Sequence, residues 1–310
     1  MRRPSFLTAL FSAFALALGT APAYAGDIES YVRFATGDGP QDAALQTAKA
    51  TFRHPTLDLE ITLYGVVHIA DAAYYANVQR DLDSYDVVLY EGVAPGSTEP
   101  TEEDKSLGDM QKVMGEMLGL TFQKDGIDYT RKNLVHADMN MDQLKEAMGG
   151  SSINPLGQVM GEDQLKSMAP MMKMFGQVGK MLMQSNPRMQ DQFKLMMGKQ
   201  LATADLSKAM PEKMSNAILI ERNKVVMEVL EKQLTKTKQG TIAIFYGAAH
   251  NPDFEERLLA LGYTKTSKSW MSAWQIGNGV NDGEAPAPAT APKTRERETV
   301  PAAPEGPRWF

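Results

Sequence analysis

The chain contains no cysteine. This excludes the disulfide bonds that often stabilise exported domains, and it excludes a lipid attached to a cysteine near the N-terminus. The fold must therefore be stabilised by its apolar core. About 250 residues lie between the N-terminal segment and a Pro/Ala-rich tail, enough for one large domain or for a domain that carries an insertion.

Beyond its N-terminus the sequence has no apolar run near the roughly 20 residues that a membrane-spanning helix needs. The N-terminal apolar stretch from Phe6 to Leu18 is shorter than that, and it follows Arg2 and Arg3. Ala23-Tyr24-Ala25 then has the small-x-small form of a cleavage site. We interpret residues 1–25 as a signal peptide and expect an exported protein, periplasmic or secreted, with no transmembrane segment in the mature chain. Retention of the apolar stretch as an anchor is the alternative.

An excess of positive charge is also absent. The formal net charge is -6, and the predicted signal peptide removes two arginines and no acidic residue, which leaves -8 for the mature chain. This balance disfavours nucleic acid as a partner. From Gly277 onward the composition changes to Gly, Asn, Asp, Pro and Ala, and we predict a disordered tail over 277–310.

The N-terminal half predicts a β-hairpin followed by a β-α-β unit. Two β-prone runs flank His54-Pro55-Thr56, and the second, about Leu57 to Val66, leads into the motif that ends at His68. An amphipathic helix with Asp71 as its N-cap comes next, and then a short strand from Val87 to Tyr90. We expect these two strands to be parallel neighbours whose C-terminal ends share one edge of a sheet.

A similar pattern returns near the C-terminus. A strand from Thr241 to Tyr246 leads into Gly247-Ala248-Ala249-His250, and a helix follows that begins at Asn251 or Pro252 and ends at Gly262. One or two closing strands are predicted over 263–276. The sequence therefore predicts an α/β domain over 26–276, with a central mixed, partly parallel sheet built from both chain ends.

The segment between these halves is rich in methionine. It runs from about Leu107 to Leu234 and is mostly helical in pattern, and of the 21 methionines all except Met1, Met227 and Met271 fall between Met110 and Met214. We expect a helical cap, inserted at about 107–210, in which methionine serves as adaptable core filler. A plastic groove for peptides or lipids and a copper(I) site built from thioethers are the alternatives.

Three polar residues fall at the ends of predicted strands: His68, Glu91 and His250. Ligands of open α/β sheets bind beyond the carboxyl ends of the strands. A glycine precedes each of the two histidines by three positions, and we expect it to let the backbone turn sharply at the sheet edge. Two Gly-x-x-His patterns in a chain with four histidines indicate a functional site. The alternative is that both imidazoles cap the helices that follow.

A fourth candidate is Arg222, which falls inside the apolar stripe of a helix predicted from about Pro211 to Leu234. A buried guanidinium must find a carboxylate, carbonyl groups or an anionic ligand. One interpretation is a structural ion pair, for example with Glu91. The other is that Arg222 stabilises negative charge that develops on a substrate oxygen.

His136 and Asp138 are secondary candidates. They follow a short strand-like run that begins near Asn133, just before a helix that begins near Asp142. They could orient a ligand histidine from behind. The alternative is that Asp138 is an ordinary turn or N-cap residue and that His136 is satisfied locally.

These motifs resemble those of the TraB/TIKI superfamily and, within it, the exported bacterial GumN-like proteins. The resemblance rests on the two Gly-x-x-His motifs, the Leu89-Tyr90-Glu91-Gly92 strand end and the Glu221-Arg222-Asn223 helix, and it spans most of the mature domain. It implies a fold similar to that of the erythromycin-esterase and ChaN-like proteins. It also implies metal-dependent proteolysis supported by Mn²⁺ or Co²⁺, although other members of the superfamily have other roles or no assigned reaction.

The residues suit this chemistry, since two neutral imidazoles and a carboxylate are a common ligand set for a divalent metal that keeps a position open for water. Our hypothesis is a metal-dependent hydrolase acting on a peptide or protein. His68 and His250 bind the metal, Glu91 is a ligand or the general base, and Arg222 holds the oxyanion or the substrate carboxylate. No residues for an organic cofactor are predicted. The alternatives are a ChaN-like protein that binds haem or another apolar ligand, and a protein that docks partners through its Met-rich helices.

Overall fold

The structure is a computed structural model, and it describes residues 30–39, 42–97, 102–150, 174, 176–204, 212–236 and 239–280, without the side chains of 102–107. The predicted signal peptide and nearly all of the predicted tail lie outside the described residues. So do several of the Met-rich positions, from 151 to 173 and from 205 to 211.

The described residues form a mixed α/β domain. Its strands are β1 (Val32–Thr36), β2 (Ala43–Arg53), β3 (Asp58–Val66), β4 (Ile69–Ala70), β5 (Val87–Tyr90), β6 (Thr121–Phe122), β7 (Leu134–His136), β8 (Gln239–Gly247) and β9 (Thr264–Ile276). Seven of them form the main sheet, in which β3, β8, β5 and β7 are adjacent in that order and mutually parallel. β1, β3 and β9 pair with β2 in the antiparallel sense. Strands β4 and β6 form a separate antiparallel pair.

Along the chain, the helices connect one strand to the next. They are α1 (Ala72–Leu82), α2 (Glu102–Leu118), α3 (Gln123–Gly126), α4 (Met141–Ala147), α5 (176–185), α6 (Pro187–Thr203), α7 (Glu212–Lys236) and α8 (Asn251–Ala260). Helix α7 contains a π-helical segment, Asn216–Glu221, between two α-helical parts. A 3₁₀ turn, Ala248–His250, precedes α8.

The sheet is assembled from both chain ends, as predicted, but one predicted neighbour relation is wrong. Strands β3 and β5 are parallel to each other and are not paired, because β8 lies between them and pairs with both. A strand from the C-terminal part of the chain thus completes the β-α-β unit of the N-terminal part. The hairpin of β2 and β3 and the single helix after β8 are confirmed.

Both faces of the sheet are covered, because side chains alternate along each strand. On β8, Ala243 and Phe245 face the cluster that includes α1 and Trp274. Ile244 and Tyr246 face the opposite cluster. Apolar residues of α7 and α8 complete that second cluster, namely Val226, Leu230, Phe254 and Leu258. The central strands are therefore buried on both sides, which is why they form continuous apolar runs.

Methionines in the helical region occupy two different environments. Met148, Met197 and Met214 are buried and fill the core, as expected for adaptable filler. Met174 and Met181, at the α5 end of the region, are exposed. Within the part of the chain that the structure describes, no helix combines the length and the apolar character that crossing a membrane requires.

Candidate functional site

At the C-terminal edge of the parallel strands, Glu91 lies close to Arg222 and His250, whereas the side chain of His68 is exposed nearby. Tyr90 lies opposite Phe245 across β5 and β8, and Val66 lies opposite Gly247 across β3 and β8. The residues that follow these strands, Glu91 among them, therefore emerge side by side. The backbone N–H of Glu91 continues the ladder by donating to Phe245 O at 3.1 Å.

Glu91 is the centre of the site. Its Oε1 accepts a hydrogen bond from Arg222 Nη2 at 2.8 Å, and its Oε2 accepts one from the backbone N–H of Gly247 at 2.6 Å. Burial by itself would raise the pKa of Glu91, but the charges of Arg222, His250 and His68 and the Gly247 hydrogen bond hold this pKa well below its usual value. Glu91 is therefore ionised at neutral pH.

Arg222 is buried and bound to two carboxylates. In addition to Glu91, it contacts Asp138 in a bidentate arrangement, with Nε to Oδ1 at 2.9 Å and Nη2 to Oδ2 at 2.6 Å. Burial alone would lower the pKa of Arg222, and the adjacent Asp138 and Glu91 raise it well above its usual value. The structure thus confirms the buried ion pair with Glu91, which was one of the two interpretations of Arg222. Asp138 is a second partner of the guanidinium that was not predicted.

His250 is held by Asn223, the residue after Arg222. Asn223 Nδ2 donates to Asp253 Oδ2 at 2.7 Å and to the backbone oxygen of His250 at 3.1 Å, so its Oδ1 faces His250 Nδ1 at 2.7 Å. Because this oxygen can only accept, Nδ1 carries the proton and Nε2 keeps its lone pair. Burial lowers the pKa of His250 to about 4, and the neighbouring charge of Glu91 only partly opposes this shift. The imidazole is therefore neutral at pH 7.

His68 has a matching arrangement on the other side of the site. Gln123 Nε2 donates to the Tyr129 hydroxyl at 3.0 Å, so its Oε1 faces His68 Nδ1 at 3.2 Å. The backbone N–H of Gln123 also donates to His68 O at 2.8 Å. Nδ1 of His68 therefore carries the proton as well. Unlike His250, His68 is exposed.

The two glycines of the Gly-x-x-His motifs act through close approach, not through a special backbone angle. Neither has a positive φ, so neither uses the backbone region that favours glycine. A Cβ on Gly65 would lie 2.7 Å from Asn251 Nδ2, and a Cβ on Gly247 would lie 3.2 Å from Glu91 Oε2. The absence of a side chain at each position makes room for atoms of the site.

The alternative that both histidines cap helices is wrong as well. His250 occupies the N-cap position of α8 but makes no side-chain capping bond. Helix α1 has Asp71 at its N-cap, and this side chain does not cap it either. Asp71 Oδ2 instead accepts a hydrogen bond from the backbone N–H of Gln275 at 2.7 Å.

The secondary candidates differ in their positions. Asp138 belongs to the site, but it holds Arg222 and does not orient a histidine; its Oδ2 also accepts a hydrogen bond from Gly92 N at 2.9 Å. His136 donates from Nε2 to Gly92 O at 2.6 Å and stacks edge-on against Tyr90. His136 thus supports the backbone just after Glu91.

The fit of a divalent metal rests on two atoms. His250 Nε2 and Glu91 Oε1 lie 3.7 Å apart, and one ion with zinc-like bonds of about 2.1 Å to each could span at most about 4.2 Å. Both atoms are acceptors that face each other in a buried setting, which suits a cation. The described residues contain no three His, Asp or Glu side chains already spaced around one point. His68 influences the pKa of both partners, and its exposed side chain would need to turn inward to complete the set.

Several residues of the site were not expected from the sequence. Asn223 was named only as part of a motif, and Gln123 was not singled out at all. Lys124 and Tyr129, with Glu91 and Gly92, line a small open pocket. Partial burial lowers the pKa of the Lys124 ammonium group. The only signal for Asn223 in the sequence is its place directly after Arg222 in the helix motif. Nothing in the pattern around Gln123 marks it.

Comparison with known proteins adds no relative: no family model, no curated protein and no solved structure matches this chain.

Proposed function

We propose that the protein is a metal-dependent hydrolase that acts on peptide bonds, with His250, Glu91 and His68 as metal ligands. The observation that supports this proposal best is the pair of acceptor atoms His250 Nε2 and Glu91 Oε1, which lie 3.7 Å apart. The other ring nitrogen of His250 is bound to Asn223 Oδ1, and Arg222 donates a hydrogen bond to Glu91 Oε1. Amide oxygens that accept from Nδ1 fix both imidazoles in the tautomer that presents Nε2, as is usual behind metal-binding histidines. A bound divalent ion supplies Lewis acidity and an activated water.

The contacts of Glu91 favour one of its two candidate roles. A general base works best with a pKa near the working pH. The pKa of Glu91 is held far below that by Arg222 and its other neighbours, so we assign Glu91 as a ligand. Arg222 then acts as a positioning residue, because all of its described hydrogen bonds go to Glu91 and Asp138.

The wider assignment rests on the sequence motifs. The two Gly-x-x-His motifs resemble those of the TraB/TIKI superfamily, and from that resemblance we propose Mn²⁺ or Co²⁺ as the metal, a peptide or protein as the substrate and a fold related to the erythromycin-esterase and ChaN-like proteins. The N-terminal pattern supports export to the periplasm or the exterior. The mixed sheet, with its site at the C-terminal edge of parallel strands, is compatible with this assignment.

The test is metal analysis of the purified mature protein, followed by cleavage of a peptide library with and without added Mn²⁺. We expect about one metal ion per chain, cleavage that requires Mn²⁺, and loss of both in His250→Ala and His68→Ala. His54→Ala is the matched control, because His54 lies at the turn between β2 and β3, and its Nδ1 contacts Thr56.

Three outcomes would contradict the proposal in different ways. Unchanged metal content in both site variants would remove the ligand assignment. Metal binding without cleavage of any peptide would indicate a binding protein. A Soret band on haem addition that disappears in His250→Ala, without Mn²⁺-stimulated cleavage, would favour the ChaN-like alternative.

A further inference from the structure

A row of side-chain hydrogen bonds runs from the surface of α8 to the buried ring of His250. Arg257 donates to Asp253 through two bonds, Nε to Oδ2 at 2.7 Å and Nη2 to Oδ1 at 3.1 Å. Asp253 Oδ2 also accepts from Asn223 Nδ2 at 2.7 Å, and Asn223 Oδ1 faces His250 Nδ1 at 2.7 Å. The outer two side chains are 29% and 21% exposed, whereas Asn223 and His250 are buried. The outer pair can therefore influence the histidine without bonding to its ring.

The Asn223 amide is the link whose orientation matters. Its NH₂ group has two hydrogens, and its two acceptors are Asp253 Oδ2 and the backbone oxygen of His250, the second at 3.1 Å. Only Asp253 is charged, and hydrogen bonds to charged acceptors are roughly twice as strong as neutral ones. A rotated amide would turn its own oxygen toward both of these acceptors. Asp253 therefore contributes the larger share of the preference for the observed orientation.

The orientation of the amide decides the state of the ring. While Asn223 presents Oδ1, the neutral imidazole of His250 carries its proton on Nδ1, and a rotated amide would move that proton to Nε2. Nε2 lies 3.7 Å from Glu91 Oε1, so in the rotated state it would become a donor to this carboxylate. Glu91 thus favours the opposite tautomer, and the Asn223 amide must be held against it.

We propose that Asp253 is a positioning residue for His250: through Asn223 it keeps the ring proton on Nδ1 and leaves Nε2 as an acceptor. Arg257 supports this role because it fixes both carboxylate oxygens of Asp253. That Nε2 then binds a metal rests on the proposed function, whereas the tautomer does not. Asp253 also lies in the first turn of α8, where any carboxylate stabilises a helix. Its effect on the ring must therefore be measured apart from its effect on the helix.

The test is ¹H–¹⁵N correlation spectroscopy of the histidine rings in the full mature chain, at pH 7 in chelator, with His250→Gln to assign the signals. Protonated and unprotonated ring nitrogens differ widely in ¹⁵N shift, so the spectrum reports the tautomer. In Asp253→Ala we expect the two shifts of His250 to move toward each other, because both tautomers are populated. Asp253→Asn keeps an acceptor for Asn223 and should retain the wild-type pattern. Glu256→Ala is the matched control, since Glu256 is exposed on the same helix.

Calorimetric Mn²⁺ titration of the same variants is the second measurement. Loss of a group behind a metal-binding histidine usually weakens affinity about 10- to 100-fold. Asp253 acts through one further hydrogen bond, so we expect about a tenfold loss in Asp253→Ala, the lower end of that range, and wild-type affinity in Asp253→Asn and Glu256→Ala. A tautomer change in Asp253→Ala, in a protein whose wild type binds no Mn²⁺, would contradict the proposed function alone.

Unchanged ring shifts in Asp253→Ala would overturn the proposal, and so would an equal change of these shifts in Glu256→Ala. A lower melting temperature of Asp253→Ala with the wild-type ring pattern would show that Asp253 only stabilises α8. If Asp253→Ala does not fold, Arg257→Gln replaces it, because this variant leaves Asp253 in place but no longer fixed. We then expect a smaller change of the ring shifts in the same direction, and the absence of any change would overturn the proposal.

Discussion

At the scale of single residues, Asn223 has the clearest role in preparing the site. Its amide is fixed by two acceptors, Asp253 Oδ2 and His250 O, so it offers only an oxygen to His250 Nδ1. This selects one imidazole tautomer before any ligand binds. If His250 binds a metal as we propose, Asn223 would control its affinity without contacting the metal or the substrate.

We expect Asn223→Ala to weaken Mn²⁺ binding by about 10- to 100-fold, the usual effect of removing a group behind a metal-binding histidine. The His250 ring then loses the partner that fixes its tautomer. Calorimetric Mn²⁺ titration measures the effect, with Asn216→Ala, an exposed position on the same helix, as the control. Equal Mn²⁺ affinity in wild type and Asn223→Ala would show that His250 needs no orienting partner.

His250 also makes folding stability depend on pH. Its pKa is about 4 in the folded protein, below the value of about 6.5 for an exposed histidine. Between these pH values the unfolded chain binds more protons than the folded one. The free energy of unfolding is therefore unaffected by this group above about pH 6.5 and falls as the pH drops toward 4. The loss from this group is about 3 kcal/mol at most.

Urea unfolding in chelator at pH 7, 5.5 and 4.5 measures this dependence. Glutamine at position 250 does not titrate in this range. For His250→Gln we therefore expect the free energy of unfolding to change less between pH 7 and pH 4.5 than it does for wild type. Below that, carboxylates with lowered pKa values also contribute, and Glu91 contributes differently in the two proteins because the charge of His250 helps to lower its pKa. Parallel profiles of wild type and His250→Gln would mean that His250 is not neutral and buried in solution.

At the scale of secondary structure, the two Gly-x-x-His motifs meet directly. Gly65 of the first lies against Asn251, which directly follows His250 of the second. The Asn251 side chain is fully buried, and neither of its polar atoms has a hydrogen-bond partner among the described residues. The amide thus fills the space that Gly65 leaves, and the contact sets the distance between β3 and the start of α8.

We expect Gly65→Ala to destabilise the protein by about 1–3 kcal/mol, the usual cost of overpacking, because the added Cβ would lie 2.7 Å from Asn251 Nδ2 and 3.1 Å from Ala48 O. Asn251→Ala in the same chain should recover part of this loss, since it removes the nearest atom. A double-mutant cycle in urea measures the coupling. Strict additivity of the two substitutions would show that Gly65 is required for the Ala48 backbone contact and not for Asn251.

The elements that carry the site could be predicted because each has a local signal. Alternating and apolar runs indicate β3, β5 and β8. β3 and β5 end at the predicted residues, and β8 ends one residue later than predicted, at Gly247. The order of strands could not be predicted, because pairing depends on which strand enters the gap between β3 and β5, and β8 is about 150 residues away along the chain.

The helix that carries Arg222 shows the same limit. Its apolar stripe predicts an α-helix with Arg222 on the buried side. The structure confirms both the helix and the burial of Arg222. The preceding segment, Asn216–Glu221, is π-helical, which changes the phase of the residues before Arg222 relative to those after it. No periodicity in the sequence indicates this change. Arg222 and Asn223 are both buried and reach Glu91 and His250 from the same turn.

At the scale of the whole molecule, strand β9 pairs with the sheet and also holds the segment that follows His68. β9 pairs with β2 along its whole length, from Ala43 to Arg53. Trp274 is fully buried, and its Nε1 donates to Ile69 O at 2.6 Å. The backbone N–H of Asp71 donates to Ala273 O at 2.8 Å. β9 therefore fixes the short segment that follows His68, although about 200 residues separate them in sequence.

This arrangement predicts that the domain folds as one unit that requires β9. We expect a mature chain that ends at Gly262 to lose cooperative thermal unfolding, because it loses the partner of β2 and the cover of Trp274. A chain that ends at Val280 keeps every contact described above, and from the Pro/Ala-rich composition of the residues after it we expect an unchanged melting temperature. Scanning calorimetry of both chains measures the difference.

A milder variant tests the contacts of the Trp274 side chain while it leaves the pairing of β9 with β2 intact. Trp274→Phe keeps β9 and most of the buried ring, but it leaves the oxygen of Ile69 without its donor, at a cost of about 1–3 kcal/mol. Because Ile69 adjoins His68, the same variant should also weaken Mn²⁺ binding more than a stability loss of equal size at a distant core position, for which Leu59→Val at the far end of β3 is the comparison. Equal Mn²⁺ affinity in the two variants would show that β9 supports the fold without positioning His68.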